Sequence, residues 1–168
     1  FKEFLAIFMV DTENIFVYYR NIVLLQYKIK EMMKTENKIL VGGQALRNLG
    51  SDRHTEDTDY IIFDKTSKEA FLHEDGIDYL NANGNKFFHE VYEQEKGNIQ
   101  ATPQGLLELK CYAFVQHCQN FNFAKADACE YDIKFLVRNF DVYPKIVKKY
   151  ISSGEFSEIV KIINSVKK

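Results

Sequence analysis

Apolar positions along this chain fall into two patterns. Short runs rich in β-branched and aromatic residues, bounded by Gly, Asn or Asp, predict strands over residues 38–41, 58–63, 76–80 and 86–92. The turn signal Asn81-Ala82-Asn83-Gly84-Asn85 then predicts a hairpin joining the last two. Elsewhere the apolar residues recur at helical spacing. A long helix is predicted over 15–33, behind the capping residues Asp11 to Asn14, and short helices over 44–49, stopped by Gly50, and over 67–72. From Thr102-Pro103 onward the pattern is wholly helical. Thr102 caps, Pro103 suits the first helical position, and Leu106, Leu107, Lys110, Cys111, Phe114, Val115 and Cys118 recur on one helix. Further helices are predicted over 125–140, 143–150 and 155–166, the last two around the Ser152-Ser153-Gly154 break. There is no internal repeat and no low-complexity tract. The expected fold is α+β: a small mixed sheet preceded by a helix and followed by a helical bundle, divided as 1–101 and 102–168.

Composition adds limits. With 168 residues, 46% hydrophobic and 14% aromatic, the chain has enough apolar material for a core without disulfide staples. A net charge of −2 argues against binding nucleic acid by bulk electrostatics. Lys145, Lys148, Lys149, Lys161, Lys167 and Lys168 read as a solvated helix face ahead of an acceptor-binding patch. The ten tyrosines and fourteen phenylalanines read as core ahead of a base-stacking surface. Cys111, Cys118 and Cys129 are odd in number and lack paired spacing, which suits reduced thiols in a cytoplasm; His117-Cys118 gives no zinc spacing. No run of residues is apolar enough to span a bilayer. Residues 1–10 are apolar but lack a signal peptide's basic flank and cleavage site, and are expected to pack in the core.

The candidate chemistry lies in Val41-Gly42-Gly43-Gln44-Ala45-Leu46 and in the stretch Arg53 to Ile62 that follows. Glycines allow close backbone approach to a phosphate, and N–H groups at a helix start cradle anions. Asp57 and Asp59, two residues apart at the head of a strand, project from one face. Such a pair suits a hard divalent cation that also holds phosphate oxygens. Read singly, the glycines are an ordinary strand-to-helix turn and the aspartates a capped turn. Their adjacency is what points to a nucleoside triphosphate.

Val41-Gly42-Gly43, then Arg53, Thr55, Asp57, Asp59 and Tyr60-Ile61-Ile62, resembles the nucleotidyltransferase fold of the DNA polymerase beta superfamily. Within that superfamily the resemblance is to the AbiEii-like group, which includes toxins of toxin–antitoxin systems. Leu106-Leu107-Glu108-Leu109-Lys110-Cys111-Tyr112-Ala113 matches the group's later helix, and Asp132-Ile133-Lys134-Phe135-Leu136 its Asp-Ile-x-x-Leu element. The resemblance covers roughly residues 38–137. It implies a sheet of the nucleotidyltransferase type and magnesium-dependent transfer of a nucleoside monophosphate from a triphosphate to a hydroxyl on RNA, protein or a small molecule. It also implies a possible antitoxin partner.

On that resemblance, Asp57 and Asp59 hold magnesium, Gly42 and Gly43 cradle the outer phosphates, and Lys110 faces the triphosphate. Two metals about 3.5–4 Å apart need a third carboxylate. Asp78 is the candidate, with Asp64 and Asp75 as competitors; the plain alternative for Asp78 is an edge-strand charge. Arg53 has the fork geometry for phosphate, against a surface ion pair with Glu56 or Asp57. Thr55 is a nucleotide contact or a turn residue, and Lys110 a phosphate ligand or a lysine snorkelling to solvent. The chain departs from the family pattern at Lys125-Ala126-Asp127, which leaves extra spacing before Asp132; this makes Asp132 a helix-anchoring carboxylate in this reading. That departure leaves two alternatives to the enzyme: an inactive interaction module of the same fold, or an unrelated α+β binding domain.

Overall fold

The structure, a computed structural model, describes residues 19–24 and 38–166. The chain forms two compact units, Phe1–Glu36 and Asn37–Lys168. In the first, residues 19–24 are helical, within the long helix predicted over 15–33. The remainder of that helix, and the apolar first ten residues, lie outside the described residues.

The second unit runs β1 (Ile39–Val41), α1 (Gly42–Asn48), β2 (Thr58–Ile62), β3 (Phe71–Glu74), β4 (Ile77–Asn81), α2 (Lys86–Glu95), α3 (Pro103–Gln119), α4 (Phe123–Asn139), a 3-10 turn at Val147–Lys149, and α5 (Ser153–Val166). The α+β class is as expected. The strands make one four-stranded mixed sheet in the order β1-β2-β4-β3. β1 is antiparallel to β2, β2 parallel to β4, and β4 antiparallel to β3.

Register arranges the sheet in rows. Ile39, Ile61, Leu80 and Phe71 lie side by side across all four strands. Two residues along, on the same face because side chains alternate, lie Val41, Asp59, Asp78 and His73. The row between them, Leu40, Tyr60, Tyr79 and Leu72, faces the other way; there the Tyr60 and Tyr79 rings stack and the Lys38 ammonium sits over Tyr60. The first face is thus apolar in its middle and acidic at one margin. Its apolar part joins α1, α2 and α3 in a core that includes Ile61, Leu46, Phe87 and Leu107 and reaches Ile159 and Ile163 of α5.

Three predicted elements differ from the structure. Residues 86–92 are helical. The Asn85 side chain accepts N–H bonds from Phe87 and Phe88, and the buried Phe87, Phe88, Val91, Tyr92 and Glu95 follow a helical period that the aromatic content obscures. The hairpin lies one element earlier, between β3 and β4. Its turn residues Asp75 and Gly76 have φ of 53° and 76°, as a type I′ turn requires. The helix predicted over 67–72 is absent: residues 67–70 are irregular, with the Ser67 and Glu69 carbonyls accepting bonds from Asn81 and Asn83 side chains, and Phe71 and Leu72 open β3. Residues 143–150 form only the 3-10 turn. The wholly buried Glu108 carboxylate accepts from the N–H groups of Lys145 (2.6 Å) and Val147 (2.8 Å), so those groups are diverted from helical pairing. The short helix predicted over 44–49 starts earlier, at the glycines themselves.

Polar contacts anchor the helical part, and of these the sequence signalled the Thr102 cap. Thr102 caps α3 through the N–H of Gly105, and its own N–H and hydroxyl donate to the buried Glu95 carboxylate at 2.7 and 2.8 Å. Ser152 and Glu155 form a reciprocal capping box at the start of α5.

Candidate functional site

The acidic margin of the sheet meets the glycine bend because β1 ends there. Val41, the last residue of β1, pairs with Asp59, and Gly42 follows with φ of 68°. A methyl group built on Gly42 would stand 1.8 Å from Asp59 Oδ2, so the carboxylate fills the space that the missing side chain leaves. The Gly43 N–H donates to that carboxylate. A methyl group on Gly43 would stand 2.6 Å from Thr55 Oγ1. The two glycines therefore seat Asp59 and Thr55, whose side chains fill the space that a Cβ would take. Gly42→Ala is expected to cost at least about 1–2 kcal/mol, the usual price of a left-handed backbone for an L-residue, and to expel Asp59 from its seat; urea titration at neutral pH reads the loss.

Two of the predicted carboxylates, Asp78 and Asp57, act on the third, Asp59. Asp59 and Asp78 are register partners on adjacent parallel strands, and such strands lie about 4.8 Å apart. Burial pushes the Asp59 carboxyl above its ordinary value of 3.8. Lys110 opposes the rise, the charges of Asp78 and Asp57 add to it, and the Gly43 N–H opposes it. The competitors are placed elsewhere. Asp75 sits in the hairpin turn, and Asp64 beyond the far end of β2 accepts from the N–H and hydroxyl of Thr66.

The raised Asp59 has a consequence for stability. An acid that holds its proton more tightly when folded stabilises the fold at low pH and loses that contribution as pH rises through its folded value. Ionised Asp59 is therefore a net cost at neutral pH. Asp59→Asn, which keeps an acceptor for Gly43, is expected to raise the urea midpoint at pH 7 in the absence of divalent metal. The gain should vanish below pH 3.8, where the carboxyl is protonated in both states.

Arg53 and Lys110 converge on a residue the sequence had assigned to helix anchoring. The wholly buried Asp132 of α4 accepts from Arg53 Nε at 2.8 Å through Oδ1 and from Arg53 Nη2 at 3.0 Å through Oδ2. Lys110 Nζ of α3 lies 2.8 Å from the same Oδ2. Arg53 thus pairs with Asp132, and neither Glu56 nor Asp57 is its partner in these bonds. Lys110 is only 14% exposed and does not snorkel to solvent. It lies close enough to Asp59 to act on its ionisation.

His73 was not anticipated. Its Nδ1 lies 2.6 Å from Asp78 Oδ1, with both side chains more than half exposed. The signal was present: a two-residue Asp75-Gly76 loop fixes Glu74 opposite Ile77 and His73 opposite Asp78.

The donor set suits magnesium in kind, being hard carboxylate oxygen: Asp59 and Asp78 lie on one sheet face and Asp57 just before β2. It is not gathered: among the described residues no three His, Cys, Asp or Glu side chains stand close enough together to hold a metal ion. Asp57 and Asp78 are exposed, and Asp78 is turned to His73. What the residues share with a divalent-cation site is donor type: Asp59 is seated against Gly42, Asp78 is its register partner, and Asp57 precedes β2 on the open margin. Among the described residues no helix is long and apolar enough to cross a membrane. No protein-family model matches the chain, and no curated protein and no solved structure matches it.

Proposed function

We propose that the chain is a magnesium-dependent nucleotidyltransferase that moves a nucleoside monophosphate from a triphosphate to a hydroxyl acceptor, releasing pyrophosphate. The observation that carries this reading is the seating of Asp59 in the Gly42 bend, with Asp78 beside it in register and Lys110 acting on it from α3. Asp57, Asp59 and Asp78 would hold the cation. Bound there, magnesium supplies charge neutralisation for the phosphates and lowers the cost of ionising the attacking hydroxyl.

The chain's own residues do the rest. Mutual repulsion among the carboxylates keeps a demand for positive charge at the sheet margin. The Gly43 N–H is taken by Asp59, so the donors for phosphate oxygens would be the Lys110 and Arg53 hydrogens not given to Asp132; positioning and charge account for most of phosphoryl-transfer catalysis. The acceptor is RNA, a protein side chain or a small molecule, and a toxin role with an antitoxin partner rests on the family resemblance alone. A cytoplasmic setting accords with the free Cys111, Cys118 and Cys129.

One observation favours a second reading. The His73–Asp78 contact and the ungathered carboxylates suit a protein of the same fold that binds without turnover. Calorimetry with ATP, CTP, GTP and UTP, with and without magnesium, together with label transfer from each into cellular RNA and protein, decides between them. The enzyme reading expects magnesium-dependent binding of at least one nucleotide and transfer of its label. Binding without transfer supports the second reading, and no binding of any nucleotide ends both. Magnesium at ten times its dissociation constant should also stabilise the fold by about 1.4 kcal/mol, an effect absent in Asp59→Asn.

A further inference from the structure

Both oxygens of the Asp132 carboxylate, near the proposed site, are committed to Arg53 and Lys110. Its side chain is wholly buried, Oδ1 takes Arg53 Nε, and Oδ2 takes both Arg53 Nη2 and Lys110 Nζ. A carboxylate so occupied is poorly placed to receive a proton from an acceptor hydroxyl. Two cations on one carboxylate leave one positive charge in surplus, and Lys110 brings it within electrostatic reach of Asp59.

The same helix holds the backbone of the site. Residues 51–57, which lead into β2, have no regular structure. Consecutive residues of α4 grip consecutive residues of this segment: the Tyr131 hydroxyl donates to Asp52 Oδ1 at 2.5 Å, and Asp132 takes the Arg53 guanidinium. At its other end the segment packs Thr55 on Gly43. Its two grips thus fix the approach to Asp57 and Asp59.

We propose that Asp132 is a positioning residue for the nucleotide, holding Arg53 and Lys110 as one cationic unit at the segment that leads to Asp57 and Asp59, so that the unit receives the polyphosphate. This rests on the nucleotidyltransferase reading and adds a division of labour to it: Asp132 sets nucleotide affinity by way of Arg53 and Lys110, and takes no proton in the reaction.

The test uses Asp132→Asn, which keeps shape and one acceptor oxygen but removes the charge. Three quantities are read: the Arg53 Nε–H resonance in ¹⁵N NMR, the affinity for magnesium nucleotide by calorimetry, and kcat and KM across pH. The Arg53 resonance should move. Affinity should weaken roughly tenfold, as expected for a charge-assisted contact set loose, with KM rising in step and both limbs of the kcat pH profile retained. Asp132→Glu, which restores the charge, should recover part of the affinity. Should Asp132→Asn fail to fold, Arg53→Lys keeps the charge, loses the two-pronged contact and should show the same affinity loss.

A drop in kcat with affinity unchanged, or loss of the basic limb, would make Asp132 a proton acceptor and overturn the proposal. A displaced Arg53 resonance with wild-type affinity overturns it too, while leaving the nucleotidyltransferase reading intact. Failure of the unaltered protein to bind any magnesium nucleotide removes both.

Discussion

Label transfer by Asp57→Asn, Asp59→Asn is expected to fall to background while the protein stays folded. Both substitutions keep side-chain shape and remove negative charge, so the change falls on cation binding. A bound divalent ion contributes several kcal/mol to transition-state charge stabilisation, and each 1.36 kcal/mol is tenfold in rate. Loss on the order of 10³-fold or more follows. Asp59 accepts an N–H from Gly43 and fills the space above Gly42, and an asparagine can do both. The burial and like-charge repulsion that raise the Asp59 carboxyl are relieved at the same time. The variant should therefore be inactive and more stable than the parent at neutral pH, the pattern of a residue kept for function at a cost in stability. Transfer that persists in the double variant would defeat the catalytic assignment. A loss of transfer accompanied by a lower urea midpoint would mean that the aspartates serve the fold.

The second large effect is on stability. Asp132→Ala is expected to destabilise the protein by about 3–5 kcal/mol, because removing one member of a buried ion pair leaves charge without compensation. Arg53 and Lys110 are 29% and 14% exposed, so both retain some access to water and the lower end of that range applies. Against a total stability of roughly 5–15 kcal/mol for an ordinary domain, the change is a large part of the whole and should be plain in a urea midpoint. The comparison is Lys161–Glu158, an ion pair on α5 with side chains 68% and 58% exposed. Removing Glu158 should leave the midpoint where it was, since water screens such a pair. Equal effects at the two sites would show that burial does not govern the Asp132 cluster.

Much of this site was legible in the sequence because its parts are local. The glycine pair, the i, i+2 aspartates and the apolar runs beside them depend on backbone torsions and on strand alternation, which act over a few residues. Thr102-Pro103 announced α3 for the same reason: a cap and a proline preset the first turn whatever lies around it. Where local signals conflicted, composition misled. Residues 86–92 carry aromatic and β-branched side chains that favour a strand, yet Asn85 caps a helix there and the buried positions follow its period. Asp75-Gly76 was the stronger hairpin signal, and the Asn81 to Asn85 stretch drew the turn assignment away from it. In fact Asn81 is buried and its amide holds residues 67–69.

By itself, then, the sequence determined the α+β class, the carboxylate pair at the head of β2 and the glycines that face it, since each follows from torsional preference and residue spacing. Tertiary structure decided what those residues touch. Only strand register could set Asp59 between Val41 and Asp78, and only the packing of α3 and α4 could carry Lys110 and Asp132 to Arg53, up to 79 positions away along the chain. Contacts over that span arise when apolar faces pack and place charged groups together at their margins. No periodicity within a single element specifies them.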